Sequence, residues 1–315
     1  MARGPSKRIG AAIDIGSYSV HLLVAEIRGN RVFVVHDESA FLGLGRTIDA
    51  QGGLGPAGAQ LVDTLANFAG RARALGAPTP TVVGTDPLRR AADAAKVVGD
   101  IRAATGVEAV VLSHEEEAMV ALLGVQAGLP VDRETVMIDV GGGSTEVLIA
   151  RPHVPPEAAG LALGAARLTG VHVASDPPTR GEIRALRVAA TDAFREAPAA
   201  RPAELLAVGG TARSLLRVGP RLSNRLLTAR RIERALDIIA GSAAIDVASQ
   251  FGVRVSRAHV LAAGASILLA GLGRYRLDRL RVAKGGLREG LLLATAHAGS
   301  RWREAVPRLA AGWVD

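Results

Sequence analysis

A chain of 315 residues with 49% hydrophobic content is long enough to bury a sizeable core in about two domains, which excludes a disordered polypeptide. Its lack of cysteine excludes disulfides, thiolate metal sites and a cysteine nucleophile. The 38 basic and 30 acidic residues give +8, and the only lysines are Lys7, Lys96 and Lys284. Guanidinium forks suit a polyanionic partner, but an Arg-rich, Lys-poor coding bias gives the same excess, so charge alone decides little.

In chain order, the basic start precedes an apolar run, IGAAIDI (9–15), that Asp14 interrupts where a signal peptide needs continuity. This points to a cytoplasmic protein. Runs 20–27 and 31–36 follow after short turns and predict an antiparallel meander. A helix over 57–75, a strand at 81–84, a helical stretch over 88–104 and a strand over 107–112 place this half in the α/β class. Ser113 then reads as an N-cap and Glu116 as the closing member of a capping box, ahead of Met119, Val120, Leu122 and Leu123. LPVDRE (129–134) reads as a linker, and strands are predicted at 135–140 and 145–150. Mixed helical segments fill 164–250 around a strand at 204–208. A helix over 258–273, a strand at 277–283 and a helix over 287–298 complete the chain. The run 258–273 is too short for a comfortable membrane span, and no membrane or nucleic-acid partner is expected.

AIDIGSYSVHLLVAE and MIDVGGGSTEVLIAR share one order: apolar run, aspartate, small-residue turn, hydroxyl, apolar run. This internal repeat predicts two halves of like topology. The domains are expected at 1–128 and 129–315, with the last helix a candidate to pack back on the first. In each repeat an aspartate, Asp14 or Asp139, ends a buried strand, where an ionised carboxylate is costly unless paired or metal-bound. Gly141, Gly142 and Gly143 let backbone amides approach an anion, and Ser144 and Thr145 add hydroxyls. A tight hairpin explains one such turn alone. Two on pseudo-symmetric halves are expected to face one cleft and hold a phosphate chain with a hard divalent cation such as Mg²⁺. A third turn, AVGGTARS, offers Gly209, Gly210 and Thr211 at a helix start; its plain alternative is a strand-to-helix turn capped by Thr211.

Taken together, AAIDIGSYSVHLLVAE, VVGTDPLRRAAD, LSHEEEAMVALLGV, MIDVGGGSTEVLIA, AVGGTARS and KGGLREGLLL resemble, in order over about residues 9–295, the exopolyphosphatase and guanosine pentaphosphate phosphohydrolase family. The resemblance implies two actin-like, ribonuclease H-like α/β domains and release of terminal orthophosphate from inorganic polyphosphate or guanosine pentaphosphate. It assigns water activation to Glu117, and to Asp139 and Glu146 a metal or water-positioning role. It gives phosphate contacts to Arg89 and Gly141–Ser144, and places Asp14 and Ser17, with Tyr18 between the loop's serines, in the first phosphate loop. Asp14, Asp139 and Glu146 are the metal candidates; Gly210 and Thr211 join the phosphate group. A homodimer is implied by the resemblance alone.

Beside this, Glu117 lies in a first helical turn, where the dipole favours an ionised carboxylate; by itself it is an ordinary dipole-complementing residue. Arg90 reads as the solvated neighbour of Arg89, His21 as a structural histidine, and His114 as adjacent to the site. Three positions depart from the family pattern: Tyr18 in the first loop, His114 after Ser113, and Lys284 before GLREG. They bear on substrate preference and turnover. A polyphosphate or alarmone binder with little turnover is the rival of a different class. A kinase or ATPase of the same superfamily would need an adenosine pocket not found over 205–275.

Overall fold

The computed structural model describes residues 8–127, 131–220 and 224–312. The start of the expected linker, Leu129 and Pro130, lies outside them, as do residues 1–7. The chain divides into two compact units, Met1–Pro130 with Gly285–Asp315, and Val131–Lys284.

The first unit is built on strands β1 (Arg8–Ile15), β2 (Ser19–Arg28), β3 (Arg31–Phe41), β4 (Thr81–Gly84) and β5 (Ala109–Val111), in the order β3-β2-β1-β4-β5. The first three form an antiparallel meander and β4 and β5 join in parallel. Residues alternate between the faces of a strand, and here the alternation divides two cores. Ala11, Ile13, Ile15, Val20, Leu22 and Val24 pack with Leu61 and Leu65 of helix Pro56–Ala74. Ala12, Leu23, Ala25 and Ile27 pack with Val120 and Leu123 of helix His114–Gln126, Leu291 of helix Leu287–Ala298, and Trp302 and Val306 of helix Trp302–Ala310.

The second unit repeats the plan with β6 (Thr135–Val140), β7 (Thr145–Arg151), β8 (Val154–Leu161), β9 (Glu204–Val208), β10 (Leu226–Thr228) and β11 (Arg279–Val282). Their order is β10-β11-β9-β6-β7-β8, again a meander flanked by two parallel strands, with β10 added antiparallel at the edge. The repeat extends to single hydrogen bonds. Gly16 N donates to Ser19 O at 3.2 Å in the first turn, and Gly141 N to Ser144 O at 3.0 Å in the second. Asp14 and Asp139 therefore occupy equivalent sites, each penultimate in its strand.

Several elements differ from the sequence reading. The stretch 88–104 is two helices, Asp86–Arg90 and Ala94–Thr105, because the chain turns at Ala91 into extended conformation. The helix expected over 258–273 begins at Leu261, after a separate turn of helix Val255–His259. It is almost wholly buried in the second unit, and among the described residues no helix is long and apolar enough to cross a membrane. Strand β8 contains Pro155 and Pro156, which the sheet accommodates because β8 is an edge strand.

Candidate functional site

In the first unit the candidate groups gather where β1, β4 and β5 end. The connections diverge there, since β2 lies on one side of β1 and β4 on the other, the usual place for a ligand crevice in such sheets. Asp14 pairs in register with His21 and shares the even-numbered face of β1 with Ala12, the face that packs with the helix carrying Glu117. Ser17 is buried and its Oγ donates to Asp86 Oδ2 at 2.5 Å. Its carbonyl accepts from Gly45 N at 2.8 Å, which pins the loop from the main-chain side. Tyr18 packs edge-on against Phe41, with centroids 4.8 Å apart.

Strand β4 delivers Thr85, whose hydroxyl donates to Ile15 O at 3.1 Å, and then the short helix bearing Arg89. Arg89 Nη1 donates to Leu112 O at 2.9 Å and to Glu117 Oε2 at 2.7 Å, while Nη2 lies 3.1 Å from His114 Nδ1. Burial and the adjacent Arg89 cation both lower the pKa of His114, so its imidazole is neutral at pH 7. The capping box forms as expected: Glu116 N donates to Ser113 Oγ at 3.2 Å and Ser113 N to Glu116 Oε2 at 2.8 Å. Arg303 reinforces it with a fork onto Glu116 at 2.6 and 2.9 Å, which holds that carboxyl below its ordinary range. Arg90 is not simply solvated, since it pairs with Asp86 and Asp49.

In the second unit Asp139 and Glu146 are direct cross-strand partners on β6 and β7, so both carboxylates rise from one face of the sheet. Ser144 Oγ donates to Glu146 Oε1 at 2.7 Å. The turn between them is held by its carbonyls: Gly141 O accepts from Ala165 N at 2.9 Å and Gly142 O from Ala166 N at 2.9 Å. Asp139 is partly exposed as a residue, yet desolvation of its carboxyl outweighs the pull of Arg213 and raises its pKa to about 6. Gly209 follows β9 at φ 87°, and a Cβ there would come within 2.8 Å of Asp139 Oδ1, so side chains larger than hydrogen are excluded beside the acid. Gly210 borders the Arg257 guanidinium, and Thr211 is buried with its hydroxyl 3.5 Å from Val140 O.

The candidates thus form two sets. The first unit holds Asp14, Ser17, Tyr18, Arg89 and Glu117, and the second holds Asp139, Gly141–Ser144, Glu146, Gly210 and Thr211. Asp86 and Arg257 escaped the sequence reading. Asp86 had a usable signal, an acid at the first position of a helix directly after a strand, where it serves a neighbouring hydroxyl. Arg257, within a short helix remote in sequence from the glycine turn, had none.

A doubly repeated meander-plus-parallel sheet defines a two-domain actin-like fold, with acids and glycine turns at its strand ends. The chain belongs to the Ppx/GppA phosphatase family, whose pattern matches residues 23–298, and it is a hydrolase acting on phosphoanhydride bonds. It is 32% identical over 302 residues to Exopolyphosphatase 1 of Mycobacterium tuberculosis, covering 91% of this chain and 87% of that one. Identity to Exopolyphosphatase 1 of Mycobacterium leprae is 30% over 303 residues, with 91% and 88% covered. The crystal structure of the Aquifex aeolicus family member superposes with a TM-score of 0.78 at 26% identity, covering 92% of this chain and 98% of that one.

Proposed function

We propose that the enzyme is an exopolyphosphatase that releases terminal orthophosphate from inorganic polyphosphate. The observation that most supports this is the joined set Arg89, Glu117 and His114. A carboxylate in the first turn of a capped helix, bound at 2.7 Å by a guanidinium, is placed to serve as a general base toward a water molecule. Glu117 accepts the proton as the water oxygen attacks the terminal phosphorus. The bridging P–O bond breaks, orthophosphate forms, and the shortened chain leaves with the bonding pair. Arg89, hydrogen-bonded to Glu117, offsets charge on the equatorial oxygens.

Asp139 and Glu146, cross-strand partners, are the groups that would hold a divalent cation. They fit one, because Asp139 is a desolvated carboxyl that forms no salt bridge among the described residues and both are hard oxygen donors. When bound, Mg²⁺ supplies charge neutralisation at the phosphate oxygens. A cytoplasmic homodimer belongs to the same reading.

Guanosine pentaphosphate, whose terminal bond is of the same class, is the second substrate supported by the family assignment. Orthophosphate release from long polyphosphate, tripolyphosphate and guanosine pentaphosphate, each with Mg²⁺ and with chelator, tests the choice. Preferential, Mg²⁺-dependent release from polyphosphate is expected. Preference for guanosine pentaphosphate would reverse the assignment, and tight binding without release would make the protein a binder.

A further inference from the structure

The charge of this chain is unevenly placed. The second unit carries 22 basic and 14 acidic residues, the first 16 of each, so the whole +8 belongs to the second. The first unit's cations largely end on carboxylates, as in Arg89–Glu117, Arg288–Asp37 and Arg303–Glu116. Several of the second unit's end on backbone carbonyls instead, which orient a guanidinium without cancelling its charge.

Two such cations, Arg225 and Arg213, and one lysine lie near the tips of β9 and β11. Arg225 is half-buried, with Nε donating to Val282 O and Nη2 to Ala283 O, both at 2.8 Å. Arg213 is exposed on the helix that leaves β9, its Nε 3.3 Å from Gly209 O. Lys284 is exposed immediately beyond β11. None of the three forms a salt bridge among the described residues, and Arg213 acts electrostatically on Asp139. Burial, then the repulsion of Arg213, lower the pKa of Arg225, as expected of neighbouring cations without an intervening acid. Asp139 pairs with Val208, and Ala283 N donates to Ala207 O at 2.9 Å, so the row crosses adjacent strands from β6 to β11. Two strand spacings make this about 10 Å.

We propose that Arg213, Arg225 and Lys284 form an anion track across the tips of β9 and β11 that holds internal phosphates of a linear polyphosphate behind the terminal one. This rests on the exopolyphosphatase reading and deepens it. The track makes affinity depend on chain length: a long polyanion engages all three cations while its end occupies the site, and a short one does not.

The test is direct binding of end-labelled long polyphosphate to the full-length protein in chelator, with tripolyphosphate as the short ligand. Arg213→Gln/Lys284→Gln should weaken long-chain binding about tenfold and reduce the salt slope of log Kd by about one to two, with a much smaller effect on tripolyphosphate. Charge-preserving Arg213→Lys/Lys284→Arg should restore it. Unchanged long-chain binding in the Gln variant would overturn the track, as would an equal loss in Arg180→Gln/Arg184→Gln, two exposed arginines of helix Arg180–Ala193. Orthophosphate release by the unsubstituted protein, measured in parallel with Mg²⁺, keeps the two ideas separate. If that release is absent the exopolyphosphatase reading fails, whereas persistent release with unaltered variant binding removes the track alone.

Discussion

Asp139 carries a stability cost, a desolvated carboxyl, that its proposed role in holding a cation would explain. Its native pKa of about 6 stands above the ordinary value of 3.8, so the folded state binds the proton more tightly. The associated stability is fully present below about pH 4 and is lost as pH rises through 6. Asp139→Asn keeps the shape and removes the ionisation. In chelator it should raise the unfolding free energy at pH 8 by at most about 2 kcal/mol, since partial exposure screens the effect, and change it little at pH 4. Denaturant unfolding at the two pH values measures this, and a variant less stable than the parent at pH 8 would show that the carboxylate is stabilised by a partner. The same substitution should abolish Mg²⁺-dependent turnover. Glu117 differs in having a cation beside it: Arg89 Nη1 lies 2.7 Å from its Oε2.

At the scale of elements, the KGGLREG motif has a packing role. Helices His114–Gln126 and Leu287–Ala298 cross so closely that a Cβ on Gly290 would lie 1.7 Å from Val120 O, and one on Gly124 would lie 2.0 Å from Gly286 O. Backbone meets backbone, so no flexible side chain can yield. Gly290→Ala must separate the helices and should cost at least about 2 kcal/mol in urea unfolding while lowering kcat through displacement of Glu117. Parent-like stability would refute the close crossing. The capping box was legible because Ser113 and Glu116 stand three apart before an apolar run, whereas Arg303, which grips Glu116 from 187 residues away, carries no local signal. Strands β1 and β2 were legible from their apolar runs. Strand β8 was not, because Pro155 and Pro156 argue against a strand unless its edge position is known, and β10, three residues long, has too little pattern to read.

At the scale of the molecule, the repeat of aspartate, turn and hydroxyl predicted two halves of like topology, and the matched Gly16–Ser19 and Gly141–Ser144 hydrogen bonds show how literally it is realised. What periodicity does not reveal is how charge is shared. Local composition is Arg-rich throughout, and only the division into units shows one neutral and one carrying +8. The neutral unit bears Glu117, and the cationic unit, which bears the Gly141–Ser144 turn, is the one whose charge favours a polyanion. The most direct test is orthophosphate release from long-chain polyphosphate by Glu117→Gln, with affinity for the same chain measured alongside. A fall in kcat of roughly 10²- to 10⁴-fold with affinity nearly intact is the expected result. Release at the parent rate would contradict it, and Glu117 would not be the group that activates water.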